Sequence, residues 1–581
     1  MIGGRLPNVR NVLAPWIDAG IFGSLEVHAA DRIAGSVVRE ITSFDALSVA
    51  SAVWATQRGH VCFDLRDGNP WGSLPAAHQP DVDAWISHLA TSPLVRTIDS
   101  WNDHCDTTRP LVMYDRRLYL ARQWMDEAIV ADELRRRLGS PMRDVDVDVI
   151  DGLFATADRG GPQYQGVLEG VRAQTSILTG GPGTGKTYTI ARILVAAVRH
   201  GVRSIALAAP TAKAAVQMRD SVSSALADDL PGLDEDRRRL LERLEPSTIH
   251  RLLGSRPGSS TRFRHDSVRR LPHDLIVIDE MSMVSLPLMA RLLEAVDPAT
   301  TLVLVGDPGQ LDSVENGSVL RDLTDIHLGP TMPVTVLADS RRNRGTRSSS
   351  FSEAVRIGDA DLALEILGAD DDDGTLRWIE TSEPLSAISQ IDDIIESWRA
   401  LSRRLDDGEA DSALSSVNDA RILCPHREGP YGVAMWNSEI SEVLETSRDR
   451  WRVGDIVVKT RNDLGQGLAN GDVGVVTRVD GALSFLFRHG DVAVHVPAAI
   501  DDAVDLGFAT TVHKAQGSEF ATVAVVVPPA HSPSSTRELL YTALTRAKPS
   551  AVLIGTREDI EHAVSTQRRR WSGLADRLPS S

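Results

Sequence analysis

The apolar positions of this chain recur with two different periods, and the places where the period changes divide it into regions. Ser43–Gln57 puts Phe44, Leu47, Val49, Ala50 and Val53 on one side of a predicted amphipathic helix. Leu111–Tyr114 is a short strand pattern, and residues 115–124 follow it as a hairpin leading into a packed helix. Residues 1 to about 150 thus read as a separate, mostly helical domain. From about 151 to 340 the pattern changes to short continuous apolar runs alternating with helical periodicity. The runs 176–179, 204–208, 275–278 and 301–305 lack in–out alternation, so they predict parallel strands covered on both faces. Residues 188–199 carry Ile190, Ile193, Leu194, Ala197 and Val198 at helical spacing.

Residues from about 246 to 272 interrupt this alternation as an insertion, with Arg251, Arg256, Arg262, Arg264, Arg269 and Arg270 giving it a positive balance. A second α/β region runs from about 341 to the end, with strand runs at 421–424, 522–527 and 551–554. Inside it, residues from about 451 to 500 alternate apolar and polar positions around Asn470-Gly471, Asp480-Gly481 and His489-Gly490-Asp491, predicting a small antiparallel β-barrel. The stretches 344–350, 370–374 and 406–415 read as loops.

Composition changes this picture in three ways. With 42% hydrophobic and 24% charged residues the 581-residue chain is an ordinary globular protein of three or four domains. Its net charge of −18 means that any nucleic-acid contact rests on local patches, not on a global field. Its three cysteines, Cys62, Cys105 and Cys424, are far apart, which points to a reducing, cytoplasmic setting and away from a zinc site or a disulfide framework. No apolar run is long enough to span a membrane, and residues 1–25 lack the pattern of a secretory signal.

The chemistry concentrates in Gly180-Gly181-Pro182-Gly183-Thr184-Gly185-Lys186-Thr187, which fills the pattern G-x-x-x-x-G-K-[ST] between a predicted strand and a predicted helix. There, backbone N–H groups and a helix N-terminus converge on phosphate. Lys186 is placed to neutralise β- and γ-phosphates and Thr187 to ligate Mg²⁺. The run 275–278 ends in Asp279-Glu280, a carboxylate for the metal followed by one for a general base. Gln310, in Gly306-Asp307-Pro308-Gly309-Gln310-Leu311, can reach the γ-phosphate or the attacking water.

The order of these segments resembles superfamily 1 helicases. Residues 209–215 (Ala-Pro-Thr-Ala-Lys-Ala-Ala) stand where that superfamily contacts single-stranded DNA, and Ser340-Arg341-Arg342 resembles its fourth motif. Residues 510–520 (Thr-Thr-Val-His-Lys-Ala-Gln-Gly-Ser-Glu-Phe) and 541–547 (Tyr-Thr-Ala-Leu-Thr-Arg-Ala) match its fifth and sixth. Within the superfamily the chain is similar to the RecD family, the alpha subunits of exodeoxyribonuclease V. Residues 247–254, 279–283, 427–433 and 536–542 carry that likeness along with the glycine loop, and 115–124 extend it into the N-terminal region.

The resemblance implies two RecA-like P-loop motor domains with parallel sheets, a small inserted β-barrel and a helical N-terminal docking domain. It implies a 5′→3′ DNA-translocating ATPase that uses ATP and Mg²⁺ on single-stranded DNA or duplex ends, beside RecB-type and RecC-type subunits. By the same likeness Arg342 and Arg546 complete the ATP site from the second motor domain, with Arg341 an alternative to Arg342. The adenine is contacted by Gln163 or Gln165, spacing favouring Gln163. Thr211, Lys213, His250, Thr511 and His513 are the implied DNA contacts. No carboxylate–lysine cluster reads as a nuclease site. Two other readings use the same residues: a free-standing RecD-like helicase, and a regulatory ATP-binding subunit that does not move on DNA.

Overall fold

The apolar runs in the middle of the chain form one wholly parallel sheet in the computed structural model. The structure describes every residue except 1–8, 39, 68–69, 72–73, 76–77, 102–107, 228–232, 257–261, 327–331, 339–344, 370–372, 445–450, 464, 491, 500 and 579–581. The strands lie in the order Val334–Leu337, Thr175–Gly180, Thr301–Gly306, Leu275–Ile278, Ile205–Ala209 and Ser247–Thr248. Leu304 pairs with Ile177 on one side and Ile278 on the other, so these side chains share a face. That face packs on the helices Ala121–Leu138 and Leu286–Ala295 through Trp124, Val130, Leu134, Met289 and Leu293. The opposite face, with Leu178, Val277, Val303 and Val305, packs on Ile190, Ile193 and Leu194 of the helix Lys186–Arg199. Burial on both faces is why these strands read as unbroken apolar runs.

A second parallel sheet orders Leu376–Ile379, Ala547–Ile554, Phe520–Val526, Ala420–Cys424 and Ala509–Thr511. We call the two sheets with their covering helices the first and second lobes. The stretch expected to be a barrel is a five-stranded antiparallel sheet running to Leu506, in the order Val492–Pro497, Ala482–His489, Val473–Val479, Ile456–Lys459 and Val504–Leu506. Among the described residues its two outer strands do not pair with each other, so hydrogen bonding does not close it. Val457, Val476, Phe485 and Phe487 fill one face, while Ile456, Val475 and Leu486 pack on the second lobe.

Several local expectations change. The N-terminal region holds, besides its helices, a four-stranded sheet of Phe63–Asp64, Arg117–Leu120, Leu111–Tyr114 and Val95–Thr97. Its hairpin turns on Asp115 and Arg116, both left-handed at φ 46° and 58°. Ser247–Thr248, read as the start of an insertion, is an edge strand of the first sheet, because Ala208 and Ala209 offer it a parallel partner. Residues 347–350 and 410–415 are not loop. The helix Arg347–Ile357 is capped by Thr346, and the helix Ala410–Ser416 buries Ala413 and Leu414. No helix among the described residues is long and apolar enough to cross a membrane.

After the helix Arg557–Ser565 of the second lobe, the chain crosses back over the other parts. The Arg570 guanidinium donates to the carbonyls of Ser313, Glu315 and Gly317 in the first lobe at 2.6–2.8 Å. Trp571 stacks on His60, ring centroids 4.1 Å apart. Arg577 lies over Trp101 and Trp124 and donates to the Glu127 carboxylate at 2.9 Å, with both side chains almost fully buried. Removing one member of such a pair strands the other charge away from water. Arg577→Ala is therefore expected to lower unfolding stability by about 3 kcal/mol, measured by urea denaturation followed through tryptophan fluorescence.

Candidate active site between the lobes

The glycine loop follows the strand Thr175–Gly180 and ends in the helix Lys186–Arg199, a site for an anion at a helix N-terminus. Gly183 and Gly185 take φ of 77° and 92°, which side chains other than glycine resist. Pro182 lies in this turn and Thr184 is buried under it, its hydroxyl donating to the Gly181 carbonyl at 2.8 Å. Lys186 Nζ donates to the carbonyls of Gly180 and Gly181 at 2.6 and 3.0 Å. These bonds hold the ammonium at the rim of the turn that would receive phosphate. Thr187 is the next residue of the helix and half-buried.

The helix Pro162–Arg172 brings Gln163 onto the loop, where its Nε2 donates to the Thr184 carbonyl at 3.1 Å. A Cβ at Gly185 would collide with that nitrogen, a second reason for glycine there. Gln165 turns elsewhere, donating to Glu169 at 2.6 Å. Asp279 and Glu280 leave the carboxyl end of the strand Leu275–Ile278, two strands from the loop strand. Glu280 has φ 54°, an unusual backbone for a side-chain-bearing residue, and its N–H donates to the Asp279 carboxylate at 2.8 Å. Burial, together with the Glu280 charge, pushes the Asp279 carboxyl up to about 6, against the pull of Lys186. The site is short of positive charge, so a divalent cation suits it.

The loop Asp307–Leu311 makes several contacts between the lobes. Gln310 Nε2 donates to Asp307 Oδ2 at 3.1 Å, and its Oε1 is buried without a hydrogen-bond partner among the described residues. From the second lobe, the Tyr541 hydroxyl donates to the same Asp307 oxygen at 3.1 Å. Leu311 is held at both backbone groups: its N–H donates to Thr542 Oγ1 at 2.8 Å and its carbonyl accepts from Gln516 Nε2 at 3.2 Å. Arg321 of the first lobe pairs with Glu538 of the second at 3.0 Å. Tyr541, Thr542, Gln516 and Asp307 all lie in segments picked out by their order, but their pairing is a tertiary fact with no signal in the local pattern.

Arg546 is buried just before the strand Ala547–Ile554 and donates to the Thr542 and Ser518 carbonyls and to Thr545 Oγ1 at 3.1–3.3 Å. Arg341 and Arg342 lie outside the described residues. The Thr211 and Thr511 hydroxyls accept from Ala214 N–H and Lys514 N–H, at 3.1 and 3.3 Å, at the starts of two helices in different lobes. Their segments meet, for a Cβ at Gly517 would lie 3.7 Å from the Ala214 nitrogen. Lys213, beside them, is half-buried, and burial followed by the charges of Arg421 and Arg546 brings its ammonium down to about 8. His513 is half-buried, its proton affinity lowered by burial and then by Arg568 and Arg570. His250 is exposed at the first-sheet edge, its ring 5.9 Å from Phe263.

With this geometry in place, comparison with known proteins identifies the family. Residues 163–316 match the AAA domain family, 506–554 the UvrD-like helicase C-terminal domain, and 18–119 the N-terminal domain of the RecBCD enzyme subunit RecD. The RecBCD enzyme subunit RecD of Mycolicibacterium smegmatis is 38% identical over 96% of this chain and 98% of its own length. The chain belongs to the RecD family. Its likeness to the RecD subunit of Mycobacterium tuberculosis is similar, at 36% identity over 97% of this chain and 96% of the relative. The ATP-dependent RecD2 DNA helicase of Deinococcus radiodurans is 32% identical, over 69% of this chain and 50% of its own length. The RecD-family match thus runs through all three regions and both sides of the cleft.

The raised Asp279 carboxyl sets a pH dependence. Its neutral form predominates below about 6, and only the carboxylate binds a divalent cation. The affinity for Mn²⁺, measured by calorimetry, is expected to fall as pH drops through about 6, and Asp279→Asn to remove that dependence.

Proposed function

We propose that this chain is the 5′→3′ translocating subunit of a RecBCD-type exodeoxyribonuclease V, acting with RecB-type and RecC-type chains on duplex DNA ends during break repair. Membership of the RecD family makes it a helicase subunit with ATPase activity. The observation that carries the reading is the near-complete span of the match to RecD subunits, against half the length of the RecD2 DNA helicase. A cytoplasmic location accords with this role.

In the reading proposed here ATP is the substrate and the cleft is the site of hydrolysis. Lys186 leaves the Gly180 and Gly181 carbonyls to neutralise the β- and γ-phosphates, and backbone N–H groups of 181–187 surround them. Gln163, bound to the loop at Thr184, reads the adenine edge in this reading. Thr187 and Asp279 would hold Mg²⁺, which supplies charge neutralisation between the phosphates. Glu280 serves as general base for the attacking water, with Gln310 orienting it. Arg546 and Arg342 add positive charge from the second lobe as the γ-phosphate leaves.

Arg546 now satisfies main-chain carbonyls, so taking up a phosphate contact exchanges those bonds for charge-assisted ones. The exchange couples closure of the cleft to the presence of the γ-phosphate. Single-stranded DNA then runs over the Thr211–Lys213 and Thr511–His513 segments, with His250 at the edge of the track. Contacts of this kind hold phosphate and carry no base sequence.

A strand-displacement assay tests the motor and its polarity together. Unwinding is expected from a 5′ overhang and not from a 3′ overhang, and to be lost in Lys186→Ala. Unwinding from the 3′ overhang alone would overturn the polarity. For Arg546→Ala, turnover is expected to fall by about 10³-fold with ATP affinity within a few-fold of the parent. Equal losses of affinity and rate would count against a transition-state role.

A further inference from the structure

We propose that Tyr541 is a positioning residue for ATP hydrolysis, setting the amide of Gln310 from the opposite lobe through the carboxylate of Asp307. The inference rests on the reading of Gln310 given above and adds the device that orients it. Asp307 is buried and makes no ion pair within 4 Å among the described residues. Its charge is spread over three neutral donors: Gly309 N–H on Oδ1 at 3.0 Å, and Gln310 Nε2 and the Tyr541 hydroxyl on Oδ2, each at 3.1 Å.

The carboxylate only accepts, so the nitrogen of the Gln310 amide has to face it. That fixes which way the amide lies and leaves Gln310 Oε1 as a buried acceptor with no partner of its own among the described residues. An acceptor in that state is suited to accept a hydrogen bond from the attacking water and so orient it. Its orientation is only as firm as the Asp307 oxygen that the two donors share.

Tyr541 makes that oxygen depend on the second lobe. Its ring is buried against the first lobe, and a Cβ at Gly181 would stand 2.8 Å from its hydroxyl and one at Gly309 3.2 Å from its Cε1. Position 181 is a free position in the phosphate-loop pattern, yet glycine is what leaves room for this hydroxyl. The phenol therefore touches the phosphate loop and the Gln310 loop at once. It is also five residues ahead of Arg546 on the segment that delivers that arginine. Burial and the neighbouring Asp307 charge keep the phenol protonated, so it remains a donor. A shift of the helix Arg537–Leu544 relative to the first lobe moves Arg546 and releases Asp307 in one step.

The test uses the full chain with a single-stranded oligonucleotide. ATP turnover at saturation and ATP affinity are measured separately for the parent, Tyr541→Phe, Gln310→Ala and the double variant. Tyr541→Phe keeps the ring and removes the donor. It is expected to lower kcat about tenfold, with ATP affinity within about twofold. The double variant is expected to match Gln310→Ala alone, because the hydroxyl acts through that amide. Asp307→Asn is expected to reproduce the Tyr541→Phe loss, which keeps the test open if Tyr541→Phe folds poorly. Parent-like turnover in Tyr541→Phe, or losses that multiply in the double variant, would overturn the inference. A parent chain that hydrolyses no ATP would instead overturn the functional reading beneath it.

Discussion

A parallel sheet has two chemically different ends, and this molecule joins the carboxyl end of its first sheet to the amino side of its second. On the first lobe the loops that leave the strands supply the phosphate loop, Asp279-Glu280 and the Asp307–Leu311 turn. On the second lobe Gln516, Ser518 and Arg546 come just before the strands Phe520–Val526 and Ala547–Ile554. Because every strand of each sheet points the same way, these groups gather at one junction without any one loop having to be long. The cleft and its cross-lobe hydrogen bonds follow from that arrangement.

The junction is held by polar groups that depend on one another. Asp307 is buried on three neutral donors, Arg546 on two carbonyls and a hydroxyl, and Lys186 on two more carbonyls. Each group is satisfied in this state, and for the two cations a phosphate is an alternative partner. That suits a two-state element better than an apolar contact would, since a buried polar group cannot leave one partner without finding another. The returning C-terminal segment works the other way. The Arg570 carbonyl clamp and the Arg577–Glu127 pair tie the C-terminal segment to the first lobe and to the N-terminal region through contacts that do not exchange with phosphate.

Much of the fold was legible in the chain because strands buried on both faces leave an unmistakable apolar run. The runs at 275–278 and 301–305 are strands, and Ser43–Gln57 is a helix, which Thr42 caps. What was missed lacks an apolar pattern of its own. Ser247–Thr248 is two polar residues, and only a neighbouring strand makes it part of a sheet. Ala410–Ser416 is short and rich in Ser, so its two buried side chains gave too little periodicity to outweigh a loop-like composition. The antiparallel insert reaches Leu506 because its last strand is recruited by the Ile456–Lys459 edge.

For the site, sequence by itself determined the kinds of chemistry and their order: a phosphate-binding loop, paired carboxylates, a glutamine and a distant arginine. Those residues are recognisable because their types and local spacing carry the chemistry. Tertiary structure alone decided which of them meet. It put Gln163 rather than Gln165 on the loop, gave the Asp307 oxygen both Gln310 and Tyr541, and required glycine at 181 to make room for a hydroxyl 360 residues away in the chain. Local pattern records what a residue can do, whereas partnership across a cleft depends on how two separate sheets are set against each other, and no spacing along the chain encodes that distance.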